Sequence, residues 1–289
     1  MTRPILFLTD YGLDDEFVGV CHAVIVRIAP QARVLDLAHG IPGQDVLRGA
    51  FVLADATPYA PSDTVYLGVV DPGVGTERRP LVVESGDALL VGPDNGLLSL
   101  AWEALGGAKR AFLIEPRELG VAGAAGPSAT FHGRDVFAPA AARLAAGLDP
   151  AEVGAPIDPA SLVRLEVPTP EVEPGRVVCR VVAVDRFGNV QLAAEPDVLE
   201  EAGIAGAPRL EVRAKGHRSP AREARTFAEV AEWSVGIVVD SSGRLALVRN
   251  RDSAAASLDI RPGDQVEIAL PGVGGPAPVI PLPGPFRPR

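Results

Sequence analysis

The chain has 289 residues, 47% of them apolar, and a formal net charge of -10. That length exceeds one domain of ~100–200 residues and can bury two cores. The acidic balance argues against a nucleic-acid partner, whose phosphates want a basic surface, and no apolar run approaches the ~20 residues that cross a bilayer.

Met1-Thr2-Arg3-Pro4 leads straight into an apolar run, without the regions of a signal peptide. The expectation is a soluble, cytoplasmic protein with no membrane partner. From there short apolar runs alternate with helical patterns. Ile5–Leu8, Val34–Leu37, Thr64–Val70, Leu81–Val83, Ala88–Val91 and Ala111–Ile114 read as strands. Asp15–Ile28, Gln44–Ala56, Gly96–Leu105 and Asp135–Ala146 read as helices. Such alternation predicts an α/β domain with a mainly parallel sheet over residues 1–165.

The Pro/Glu-rich stretch 166–175 reads as a linker. Beyond it helix signals nearly vanish, and β-branched runs separated by Gly and Pro take over: Val177–Val184, Val190–Leu192, Leu210–Val212, Val235–Val239, Leu245–Val248 and Gln265–Ile268. Residues 176–270 therefore predict a smaller all-β domain, a barrel or sandwich. The Pro/Gly-rich residues 271–289 read as a poorly ordered tail. Cys21 and Cys179 lie in apolar stretches of different predicted domains, which favours buried free thiols over a disulfide.

Two segments carry chemistry. The buried run Thr64–Val70 delivers Asp71 into Pro72-Gly73-Val74-Gly75-Thr76-Glu77-Arg78-Arg79, a turn at a strand's carboxyl end, where open α/β sheets bind ligands. Phe131-His132-Gly133-Arg134-Asp135 opens a helical stretch, another platform for a polar site. Each feature has a structural alternative: Asp caps turns, a single His is commonly a hydrogen-bonded scaffold group, and Arg78 or Arg79 could pair with Glu77. No zinc-like Cys spacing exists, and His22, His39 and His217 show no ligand pattern, so no metal is expected.

These segments, with Leu8-Thr9-Asp10-Tyr11-Gly12, His39-Gly40-Ile41-Pro42 and Gly92-Pro93-Asp94-Asn95-Gly96, resemble the S-adenosylmethionine hydroxide adenosyltransferases. That family is the hydrolytic branch of the superfamily of the fluorinating and chlorinating enzymes. The resemblance runs in order from about residue 4 to about residue 270. It implies cleavage of S-adenosylmethionine by water to adenosine and methionine, without metal or organic cofactor. It further implies a homotrimer, each active site lying between the first domain of one subunit and the second of its neighbour.

The matching catalytic positions are Asp71, Arg78 and His132; Arg78 is preferred to Arg79 only by the family's spacing. The implied substrate-binding set is Asp10, which would hold the ribose hydroxyls, Asp15, Phe131, Phe187 stacking on adenine, Asn189 bonding the base edge, and Ser241. Asp240 and Arg251 depart from the residues expected there. A sulfonium releases neutral methionine, so the leaving group needs no general acid; the site must instead orient and partly deprotonate a water. Halogenases carry a tyrosine where this chain has Asp71, and a carboxylate would repel a halide. Halide-dependent adenosyl transfer, a non-catalytic nucleoside-binding protein and a metal-dependent hydrolase using Asp10, Asp14, Asp15, Asp71 and His132 are the alternative readings.

Overall fold

A computed structural model describes residues 2–115 and 127–273. The chain divides into two compact units, Met1–Glu166 and Val167–Arg289.

The first unit contains strands β1 (Ile5–Thr9), β2 (Val34–Ala38), β3 (Val65–Val69), β4 (Pro80–Ser85), β5 (Ala88–Pro93), β6 (Arg110–Leu113) and β7 (Pro156–Ile157). They form one sheet in the order β2-β1-β3-β5-β4-β6-β7. β2, β1, β3 and β5 are mutually parallel, as expected from the alternation. β4 turns back on β5 in a hairpin, and β6 and β7 extend that edge with antiparallel pairings.

Helices α1 (Phe17–Ile28), α2 (Val46–Ala56), α3 (Ser99–Ala104) and α4 (Ala138–Ala145) cover both faces of the sheet. Side chains alternate along a strand, so odd and even positions serve different cores. Ile5, Phe7, Val65, Leu67 and Val69 pack with Cys21 and Ile25 of α1 and with α4. Leu6, Leu8 and Tyr66 pack with Leu53 of α2 and Trp102 of α3. Burial on both faces explains why these strands read as continuous apolar runs rather than alternating ones.

Helix bounds follow local chemistry more than apolar period. α2 starts after Asp45, whose carboxylate accepts from the Arg48 N–H at 2.9 Å. The expected helix over Asp135–Ala146 begins instead as a π-helical turn, Gly133–Phe137, which runs into α4. Such turns are concentrated at functional sites.

The second unit contains β8 (Glu171–Glu173), β9 (Arg176–Val184), β10 (Val190–Leu192), β11 (Leu210–Ala214), β12 (His217–Glu223), β13 (Val235–Val239), β14 (Leu245–Val248) and β15 (Gln265–Ala269). Because β10 pairs with both β14 and β9, seven of these strands close into a barrel. The core alternates in the strand period, with Val177, Cys179 and Val181 inward beside Leu192, Val212, Ile237, Leu247 and Val266. Cys21 and Cys179 are buried free thiols, as their apolar surroundings implied.

Two features departed from the sequence pattern. β8 lies inside the stretch read as a linker and pairs with β9. β12 is polar, buries only Ala221, and pairs in parallel with β13; with one face to solvent and Pro220 inside it, it carries no strand signature. Most of the expected tail, residues 274–289, lies outside the described residues.

Candidate active site

β1 and β3 are adjacent and parallel, with Thr9 opposite Val69. Asp10 and Asp71 therefore leave the sheet at neighbouring carboxyl ends. Their convergence is a consequence of strand order, and it is the crevice geometry expected of open α/β sheets.

After Asp71 the chain makes a tight turn: Val74 N–H donates to the Asp71 carbonyl, and Thr76 N–H to that of Gly73. A side chain at Gly73 would press on Arg78, and a Cβ at Gly75, which has φ +77°, would sit 2.5 Å from the Ala129 carbonyl. The two glycines thus let the turn fold back on itself and lie against the loop that carries His132.

Arg78 completes that return. Its Nε donates to both Asp71 carboxylate oxygens at 2.9 and 3.0 Å, and its Nη2 lies 2.7 Å from His132 Nδ1. The side chains of Arg78 and Asp71 are only 9% and 6% exposed. The guanidinium also stacks over Phe137, 5.0 Å from the ring centroid. A buried charge of this kind is tolerated only with its partner; removing one member of such a pair costs ~3–5 kcal/mol.

The hydrogen-bond chain fixes the histidine tautomer. A guanidinium nitrogen is donor only, so Nδ1 of His132 must accept and its proton must reside on Nε2. Burial and the adjacent Arg78 charge hold the imidazole below its ordinary pKa, against the opposing pull of Asp71 and Asp135. His132 is accordingly a neutral Nε2–H donor, and its Nδ1 lone pair is already occupied.

Arg79 points elsewhere. It pairs with Asp94 through Nε at 2.7 Å and reaches the Ser161 hydroxyl at 3.1 Å. Geometry thus separates the two arginines, which the resemblance had distinguished by spacing alone. Asp94 also accepts from Val163 N–H at 2.9 Å, and Asn95 donates to the Val70 carbonyl at 2.8 Å, bracing the end of β3 just before Asp71.

Asp10 accepts from Gln44 N–H at 2.8 Å. Gly12 N–H donates to the His39 carbonyl at 2.7 Å, so the loop from His39 to Gln44 is laced to the turn after β1. A carboxylate has about four acceptor sites, which leaves capacity beyond the Gln44 bond. Phe131 packs edge-on against Phe17 and Tyr11, with centroids 5.2 and 5.8 Å away. Asp15 is exposed ahead of α1 and is not drawn into this cluster.

Tyr11 is the neighbour that sequence reasoning missed. Burial raises its hydroxyl far above the ordinary range, and Cys21, Asp10 and Asp71 push the same way while Arg78 opposes them. A Cβ at Gly133 would collide with that hydroxyl. The glycine after His132 is therefore a space requirement set by Tyr11, a signal that only the packed structure contains.

In the second unit, Asp185 caps a turn by accepting from Phe187 N–H and Asn189 N–H at 2.8 and 2.9 Å. It also takes the Asn189 side-chain N–H at 2.7 Å. The Phe187 ring is 72% exposed. Ser241 is exposed in a second turn, where Asp240 accepts from Ser242 N–H at 2.8 Å. Gln191 donates to Asp240 at 2.9 Å and ties the two turns to one end of the barrel. Asp240, the departure from the expected pattern, serves here as a turn cap.

His22 and His39 showed no ligand pattern in the sequence, yet among the described residues His22, Asp36 and His39 bring three ligand atoms within 4.8 Å of one another. None of the catalytic candidates belongs to that group.

Two family models match the chain: the SAM hydroxide adenosyltransferase N-terminal domain over residues 5–154 and its C-terminal domain over residues 179–267. The chain belongs to the SAM hydroxide adenosyltransferase family. A relative named (R)-S-adenosyl-L-methionine hydrolase, from Salinispora tropica, is 48% identical over 92% of this chain and 98% of its own length. A fluorinase from Actinopolyspora mzabensis is 27% identical over 92% of this chain and 97% of its own length. A crystal structure of an uncharacterized conserved protein from Thermotoga maritima superposes with a TM-score of 0.83 at 37% identity, covering 92% of this chain and all of that one.

The tautomer is directly measurable, because the chain has only four histidines. Nitrogen-15 NMR is expected to find His132 as the Nε2–H form, with a titration midpoint below 6.5. Arg78→Met should shift that midpoint upward, since it removes a positive neighbour and leaves Asp71 free to favour the imidazolium. A midpoint unchanged by Arg78→Met would break the coupling described above.

Proposed function

We propose that the chain hydrolyses S-adenosylmethionine to adenosine and methionine, with Asp71, Arg78 and His132 acting on the attacking water. The observation that carries this reading is the hydrogen-bonded chain Asp71–Arg78–His132 beside Asp10. Membership in the family and a hydrolase relative at 48% identity support the same reaction.

In this mechanism the water oxygen forms a bond to the ribose 5′ carbon as the C5′–S bond breaks. The bonding pair goes to sulfur, which leaves as a neutral thioether, so no acid is needed on that side. Asp71 accepts the hydrogen bond and then the proton of the water. Arg78 and the His132 Nε2–H stabilise developing hydroxide character from a site largely screened from solvent. His132 is not the base here, because its Nδ1 lone pair is held by Arg78. Asp10 binds the ribose hydroxyls, while Asp15 and Phe131 flank the substrate. Phe187, Asn189 and Ser241 contact adenine. The exposed Phe187 ring suits stacking, and with its side-chain nitrogen bound to Asp185, Asn189 has its carbonyl oxygen to offer a base amino group.

Halide-dependent transfer is the second reading, favoured by the fluorinase relative. Asp71 opposes it: a buried carboxylate beside a halide is a like charge in a low-dielectric site.

Incubation of purified protein with S-adenosylmethionine is expected to yield adenosine and methionine in equal amounts, unchanged by chelator or halide. Asp71→Asn and His132→Ala should each lower kcat roughly ten- to ten-thousand-fold with adenosine binding retained, whereas Asp10→Ala should raise KM and weaken adenosine binding. A halogenated nucleoside as product, or near wild-type turnover in Asp71→Asn, would overturn the assignment. Folding of each variant needs checking by thermal unfolding, since Asp71 is the counter-charge of a buried arginine.

The same reading makes the protein a cytoplasmic homotrimer whose sites draw residues from neighbouring copies, an arrangement that heterologous contacts around a closed ring allow. Analytical ultracentrifugation should report three chains. Co-expressed Asp71→Ala and Asn189→Ala chains should recover activity that neither has alone. A monomer, or no recovery in the mixed assembly, would contradict it.

A further inference from the structure

α1, β2 and the residue after β2 bring together side chains that the hydrolytic reaction does not use. His22 Nε2 lies 2.8 Å from Asp36 Oδ1, and His39 Nε2 lies 3.0 Å from the same oxygen. A carboxylate bonded to two imidazoles could spread them over its two oxygens; here both converge on one.

We propose that His22, Asp36 and His39 form a binding site for a single divalent transition-metal ion of the zinc class. Two imidazole nitrogens are borderline donors, and joined by a single carboxylate oxygen they select zinc, cobalt, nickel or copper over magnesium and calcium. A tetrahedral zinc with bonds of ~2.0–2.1 Å separates its ligand atoms by ~3.3 Å. The 2.8 and 3.0 Å contacts to Asp36 would open toward that value, and the wider separation within the trio, up to 4.8 Å, would close toward it through rotation of the half-exposed His22.

The surroundings fit an ion better than they fit a simple surface ion pair. His39 is 3% exposed, and its Nδ1 lies 2.9 Å from the Thr9 hydroxyl oxygen. With metal on Nε2, the His39 proton sits on Nδ1 and donates to that oxygen, whose second lone pair accepts Tyr11 N–H at 3.2 Å. This is the outer hydrogen bond that commonly orients a metal-bound histidine. Phe7 gives both imidazoles an apolar neighbour, 4.8 Å from the His39 ring and 5.9 Å from that of His22. The opposite side is open, with Asp36 and His22 47% and 30% exposed, so water can fill the remaining coordination positions.

The proposal is independent of the hydrolase reading, and its test does not use activity. Metal-free full-length protein is titrated with cobalt(II) and followed by its visible ligand-field bands. The expected result is intense, low-symmetry bands saturating at one cobalt per chain, displaced by zinc and not by magnesium. His22→Ala and Asp36→Asn, at a half-buried and an exposed position, should lose the bands while their circular dichroism stays that of the parent. Absence of bands in the parent protein, or bands of equal intensity in His22→Ala, would overturn the site.

Discussion

The buried guanidinium of Arg78 is the constraint on which the rest of the first unit's polar architecture depends. A positive charge 9% exposed cannot stay without a counter-charge, so Asp71 must face it. That pairing requires the chain to double back after β3, and the glycines at 73 and 75 make the return possible. His132 is drawn in by the same guanidinium, and its tautomer follows from being on the accepting end of the bond. One interaction therefore sets the position of two further side chains and the protonation state of one of them.

The sheet supplies the second half of the arrangement. Adjacent parallel strands β1 and β3 end side by side, which puts the acid for the proposed ribose contact next to the acid for the proposed water contact. Neighbouring motifs act as scaffold: Asn95 holds Val70, Asp94 holds Arg79, and the His39–Gln44 loop is fastened to Asp10 and Gly12. A substitution in any of them would be expected to act through the placement of Asp71 or Asp10 rather than by touching a ligand. In the barrel, the turns around Asp185 and Asp240 are capped by their own aspartates and joined by Gln191.

The α/β texture was legible because parallel strands buried on both faces are continuous apolar runs, and the helices between them keep a helical period. The barrel strands were legible where they alternate, and closure was not, since it depends on β10 pairing with two partners at once. β12 escaped because its only buried residue is Ala221. Within the site, Asp71 and His132 were marked by their turn and loop settings. Arg78 was distinguished from Arg79 only through the family's spacing, because adjacent residues of one type differ only in direction; in the structure Arg78 faces Asp71 and Arg79 faces Asp94. Tyr11 escaped for a related reason: its link to Gly133 is a steric contact between segments far apart in the chain. The His22–Asp36–His39 group was invisible as well, because a helix residue, a mid-strand residue and the residue after that strand share no motif spacing.

The central claim is that this site directs water to the ribose 5′ carbon, and oxygen-18 labelling tests it most directly. Turnover of S-adenosylmethionine in labelled water, followed by mass spectrometry of both products, should find one labelled oxygen in adenosine and none in methionine. Fragmentation should locate that oxygen at the 5′ hydroxyl. Unlabelled adenosine, or label incorporated into the methionine-derived product, would mean that the bond broken is not C5′–S or that water is not the nucleophile. Either result would contradict the account.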